Sequence, residues 1–180
     1  MAENLSAHFT LEELIYSDTA KAKKISNLPT EAHKKVLKHT AQYLLEPLRA
    51  LLNEKYKTYG GKKVKNVSIH INSGYRSWAL NKAIPGASKT SQHCSGEATD
   101  IKAIIVFIDN SKKELPYTSL YEDIKAWTRA GRMSVDQCIQ EKSGNAVWVH
   151  ASFKAEGATK NRRQFLKYNG FTYKLDVWMK

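Results

Sequence analysis

Residues 98–108, ATDIKAIIVFI, constrain the chain more than any other stretch, because a run this rich in β-branched and aliphatic side chains reads as one buried strand. Alternation puts Ala98, Asp100 and Lys102 on one face and Thr99, Ile101 and Ala103 on the other. The preceding loop, SQHCSGEA from Ser91 to Ala98, carries His93 seven positions before Asp100 and must turn at Gly96. Ser91, Ser95 and Gly96 argue against a helix there. Imidazole nitrogen and carboxylate oxygen both bind zinc at about 2.0–2.2 Å, which makes His93 and Asp100 candidate ligands. The alternative is a loop histidine and a strand-end aspartate with no metal. Glu97 faces away from Asp100, and Cys94 reads as a small hydrophobe pointing away from His93.

A second strand precedes this loop, since 67–72, VSIHIN, alternates apolar and polar. His70 lies on its polar face as a surface or supporting histidine. The strand ends in SGYRS, 73–77, where Ser77 caps a short helix, WALNKAI, that stops at Pro85-Gly86. Arg76 is thereby held at a strand-to-helix corner. A guanidinium placed there offers two donors to a carboxylate or carbonyl oxygen; the alternative is a surface arginine.

Elsewhere, Thr10 caps a first short helix with Glu12 and Glu13 in its opening turn. The main helix begins at Pro29-Thr30 and repeats apolar residues at threes and fours from Ala32 to Leu52, with Pro47 expected to kink it or divide it near Leu45. His33 and His39 lie among lysines and read as solvated. Lys55–Lys65 reads as a basic linker around Gly60-Gly61, and Asp109–Pro116 as a polar loop. Ser119 caps a helix running to Ala130. Two strands, 135–141 and 146–153, follow as an antiparallel hairpin turning at 142–145. Trp148, His150 and Ser152 share one face of the second strand, and the register can bring Glu141 to that same face.

Residues 156–180 form a basic extension in which Asn169-Gly170 between aromatics signals a hairpin packed on the domain. The whole chain of 180 residues carries a formal charge of +12, which would attract an anionic polymer or a cell envelope. Without a run of like charges or an aromatic RNA-binding strand, specific nucleic-acid reading is not supported. No window approaches a membrane span. The start, MAENLSAHFTLEE, lacks the features of a signal peptide, so synthesis in the cytoplasm is expected. Two cysteines are too few for a disulfide framework.

Taken in order, SGYRS, then SxHxxGxAxDI, then WVHxSF resembles the M15 peptidases, the D-Ala-D-Ala carboxypeptidases, dipeptidases and L-alanyl-D-glutamate endopeptidases that share a zinc fold with the hedgehog domain. HFTLEEL near the start and NRRQ near the end also look like the small phage-type members. The resemblance implies an α+β fold with a small antiparallel sheet packed against helices, the zinc site lying on the sheet face of a 1–155 peptidase domain. It implies that His93, Asp100 and His150 ligate one Zn2+ and that Arg76 holds the substrate and stabilises the oxyanion. Ser91, Trp148 and Tyr75 would line the substrate site. Many members place the catalytic glutamate three residues before the last histidine, where this chain has Val147. Glu141, nine residues before His150, is the candidate general base instead.

The implied activity is hydrolysis of a bond in the peptidoglycan stem peptide, by a monomeric phage or prophage lysin released to the wall by a holin-type route. The missing glutamate keeps a second reading open, a non-catalytic zinc-containing binding module of the same fold. A basic nucleic-acid-binding protein is a third. Nothing in the residues fixes which stem bond is cut.

Overall fold

In the computed structural model, which describes residues 3–176, eight strands join one sheet. They are β1 (Thr58–Tyr59), β2 (Lys62–Ser73), β3 (Ala98–Phe107), β4 (Lys112–Glu114), β5 (Gln137–Ser143), β6 (Ala146–Ser152), β7 (Gln164–Tyr168) and β8 (Tyr173–Leu175). The order across the sheet is β1-β2-β3-β6-β5-β7-β8, with β4 also on β3. Every pairing is antiparallel except β5 with β7. Six α-helices accompany the sheet among the described residues: α1 (Leu11–Ile15), α2 (Asp18–Ala22), α3 (Glu31–Thr40), α4 (Glu46–Lys55), α5 (Trp78–Ala83) and α6 (Tyr117–Arg129). The architecture is α+β with a mostly antiparallel open sheet, as expected. No helix among the described residues is long and apolar enough to cross a membrane.

Alternation divides the sheet into a core face and a site face. Ile101, Ala103, Ile105 and Phe107 of β3, Val149 and Ala151 of β6, Cys138 of β5 and Phe165 of β7 belong to the buried core. Asp100, His150 and Ile139 turn the other way, in register with one another, since Asp100 pairs His150 and His150 pairs Ile139. The core face is covered by the apolar stripe of α3 and α4. Leu37, Leu44, Leu45, Leu48 and Leu52 there are wholly buried, each contributing about 1.5–3 kcal/mol. Asn53 of α4 ties helix to sheet, donating to Val67 O and accepting from Val67 N, both at 2.8 Å.

The long helix divides where expected. A π-helical turn, Ala41–Leu45, separates α3 from α4; the backbone stays helical through it, the Glu46 N–H reaching back to Ala41 O, and Pro47, which has no N–H to donate, follows directly. Several local expectations are corrected. The supposed linker at 55–65 is a hairpin: Gly60 and Gly61, with φ of 56° and 78°, turn β1 into β2, so the strand read from Val67 begins at Lys62. β4 occupies part of the supposed loop before Pro116. Helix α6 starts at Tyr117 with Pro116 as its cap, so Ser119 lies inside the first turn. His39 packs against Tyr43 and Phe153 at ring separations of 4.3 and 5.5 Å, and His33 contacts Thr30 and Tyr75; neither is simply solvated.

Beyond residue 155, β7 extends the sheet by parallel pairing with β5, and β8 returns antiparallel on β7. The Asn169 side chain accepts from the backbone N–H of Phe171 and Thr172, closing the turn with Gly170 at φ 97°. Residues 177–180 of the extension lie outside the described residues.

Candidate functional site

His93 sits in a one-turn 3-10 helix, Gln92–Cys94, capped by Ser91, whose hydroxyl accepts the His93 N–H at 3.4 Å. Gly96 turns the chain out of it at φ 83°, and Thr40 of α3 fixes that turn by donating to Gly96 O at 2.9 Å. The His93 ring is buried. Its Nδ1–H donates to the carbonyl oxygen of Gly74 at 2.7 Å, so Nε2 presents its lone pair to the site. Gly74 is demanded by close approach: a Cβ there would lie 2.2 Å from Leu14 O, the oxygen that accepts the Tyr75 N–H.

Asp100 and His150 face each other as a cross-strand pair of β3 and β6. Asp100 Oδ1 lies 3.0 Å from His150 Nδ1 and 3.3 Å from His93 Nε2, and the two imidazole nitrogens are 3.3 Å apart. Bonds of about 2.0–2.2 Å at tetrahedral angles separate donor atoms by about 3.3–3.6 Å, so the triangle nearly matches one face of a zinc tetrahedron. The three side chains are all buried and form a cluster that could hold a metal ion. Their electrostatics agree with that use. Burial lowers the pKa of His93 and keeps it neutral. Burial alone would raise that of Asp100, but the hydrogen bond from His150 helps hold its carboxyl below the usual range. Neutral imidazoles and an ionised carboxylate are the forms a metal requires.

Arg76 completes the setting. Its Nη2 donates to Asp100 Oδ2 at 2.7 Å and its Nε to Ser73 Oγ at 2.9 Å, so the carboxylate is fixed from behind while Oδ1 points inward. A bulge between Ile71 and Ser73 in β2 brings Ser73 opposite Asp100. The arginine is therefore spent partly on Asp100. Its Nη1 group has no hydrogen-bond partner among the described residues.

The open face of the triangle looks onto a cleft of about 490 Å³, which Arg76, Ser91, Glu141 and Trp148 also line. Glu141 reaches it because the hairpin pairs Glu141 with Trp148 and puts both on the site face. Burial, then the negative charge of Asp100, raise the Glu141 pKa to about 7. The Trp148 indole N–H is buried and favours the Glu141 carboxylate without completing a hydrogen bond. Tyr75 is not brought to the cleft: it is buried in the core, with its hydroxyl 3.2 Å from His33 Nδ1. Glu97 and Cys94 also stay outside the metal cluster.

Sequence reading missed Tyr168 and Tyr173, which stack at 4.4 Å and 25° and line the cleft from the terminal hairpin. The aromatics around Asn169-Gly170 were the available signal. It also missed the Gly74 carbonyl and the group formed by Gln92, Asp136 and Arg162.

The family model described as Peptidase M15 matches residues 7–118, well over half of the chain. The chain belongs to the M15 peptidase family. The matched span holds Arg76, Ser91, His93 and Asp100 and stops before Glu141 and His150, whose membership in the site rests on β3, β5 and β6 pairing. Neither the curated proteins nor the solved structures yield a match. The M15 family model thus covers the part of the chain that supplies Arg76, His93 and Asp100, while β5 and β6 bring Glu141 and His150 to the same cleft.

Proposed function

We propose that this M15 family member is a zinc metallopeptidase that hydrolyses a peptide bond in the peptidoglycan stem peptide, acting as a cell-wall lysin. The observation that carries the reading is the convergence of His93 Nε2, Asp100 Oδ1 and His150 Nδ1 beside a carboxyl group, Glu141, whose pKa is raised to about 7. The donor set suits zinc, with His93, Asp100 and His150 as ligands. When bound, the metal supplies Lewis acidity toward water and toward the scissile carbonyl.

This chain's own groups do the rest. Glu141 accepts the proton of the attacking water and delivers it to the nitrogen of the leaving amine. Arg76 turns its Nη1 donors to the carbonyl oxygen as negative charge develops there. Trp148 walls the cleft beside the base, and Ser91 lies within its lining as a donor. The charge of +12 favours approach to an anionic envelope. The test is mass analysis of products from defined muropeptides with the zinc-loaded protein. New fragments whose formation stops with chelator and returns with zinc are expected; intact peptides throughout would overturn the proposal, leaving a binding module.

A further inference from the structure

Arg162 lines the same cleft and has no part in the chemistry above. Its placement begins with Asp136, a fully buried carboxylate just before β5. The Arg162 Nε donates to Asp136 Oδ1 at 3.0 Å, its Nη2 to Oδ2 at 2.6 Å, and its backbone N–H to Oδ1 at 2.9 Å. Gln92 Nε2 donates to the same Oδ2 at 2.9 Å and directly precedes His93. One edge of the guanidinium is thereby fixed beside the metal-binding loop.

The other edge is only lightly used, since Nη2 also reaches Gln92 Oε1 but at a long 3.5 Å. Half of the Arg162 side chain is exposed, and its Nη1 has no hydrogen-bond partner among the described residues. An arginine serving only to neutralise Asp136 would need one edge. A guanidinium held on one edge loses little freedom when a ligand takes the other, and its planar fork suits a carboxylate. The remaining anion facing it, Glu97, is engaged by Lys154 Nζ, Ser95 Oγ and the Ala155 N–H.

Resting on the peptidase reading, we infer that Arg162 sets specificity by binding a carboxylate of the substrate on its Nη1 edge. The preferred stem peptide is one with a free carboxylate near the scissile bond, rather than its amidated form.

The test uses synthetic stem peptides differing only in a carboxylate or the corresponding carboxamide. Wild-type protein should favour the carboxylate by about 10- to 100-fold in kcat/KM, mostly through KM. Arg162→Gln should bring that ratio close to one. Arg162→Lys keeps a cation against Asp136 without the fork, so it should give an intermediate ratio even if the Gln variant does not fold. A ratio unchanged in the folded variants, or no wild-type preference, overturns the inference. If wild-type protein cleaves neither peptide, the peptidase reading falls separately. Calorimetric binding of the same two peptides then decides Arg162: tighter carboxylate binding that is reduced in Arg162→Lys supports it, and equal binding refutes it.

Discussion

The Nδ1–H of His93 donates to the carbonyl oxygen of Gly74 at 2.7 Å, and that bond decides which imidazole nitrogen faces Asp100 and His150. The carbonyl is held in turn by the close passage of Gly74 over Leu14, where the Tyr75 N–H meets Leu14 O at 2.7 Å. An added methyl has no room, since the obstructing atom is backbone. Gly74→Ala should destabilise the protein by about 2–4 kcal/mol. It should also weaken zinc binding about 10- to 100-fold by turning the ligand ring. Thermal unfolding and competition titration with a chromophoric chelator measure the two effects; normal zinc affinity in a folded variant would separate the carbonyl from His93 orientation.

Arg76 and Asp100 form the other support of the cluster. With Nη2 on Oδ2 at 2.7 Å, the arginine leaves Oδ1 alone to face the imidazoles. Arg76→Met should therefore lower zinc affinity about 10- to 100-fold, and Arg76→Lys should lower it less because charge is kept while the Ser73 contact is lost. Both variants should lose more in kcat than metal loading explains, because the oxyanion donors go with the fork. Rates measured at saturating zinc test this; full recovery there would confine Arg76 to ligand support.

Asp136 is wholly buried, and burial alone would raise its pKa; the hydrogen bonds from Arg162 and Gln92 overcome this and hold its carboxyl below the ordinary value of 3.8. A depressed carboxyl stabilises the fold above its unfolded pKa, and that stability drains away as pH falls through the folded value. Asp136→Asn should cost about 2–4 kcal/mol at neutral pH. The gap from wild type should narrow below pH 3.8, as wild-type Asp136 takes up its proton. Urea midpoints across the acid range measure the gap; a constant difference would mean that the pair contributes by packing alone.

The sequence showed most where side-chain period and turn length leave few choices. Strand alternation around Asp100 and a short hairpin turn before Ala146 suffice to put Glu141, Trp148 and His150 on one face. The π turn at Ala41–Leu45 was foreshadowed by Pro47. Exposed Lys62, Lys63 and Lys65 concealed the first half of β2, because they supply charge where a strand signal needs apolar alternation. Tyr75 went astray for another reason: at a bend between strand and helix no period fixes direction, and its ring turned to His33 and the core. The Asp136–Arg162 pair joins residues far apart in the chain, so no local spacing announces it.

Glu141 supplies the most discriminating prediction. Its pKa is raised from 4.5 to about 7 by burial and by Asp100, so the metal-free fold prefers the protonated acid. Stability from that preference is fully present below pH 4.5 and is lost as pH rises through about 7. Metal-free wild-type protein should therefore lose about 1–3 kcal/mol between pH 5 and pH 8.5 from this group. Glu141→Gln, unable to ionise, should not. Zinc should remove the difference by favouring the carboxylate, and the variant should bind zinc while losing about 10²–10⁴ in kcat. Thermal unfolding of chelated and zinc-loaded protein at the two pH values, with product analysis alongside, reads all of these. A variant that keeps wild-type turnover removes Glu141 as the base, and a variant with the same pH slope as wild type places the buried proton on another group.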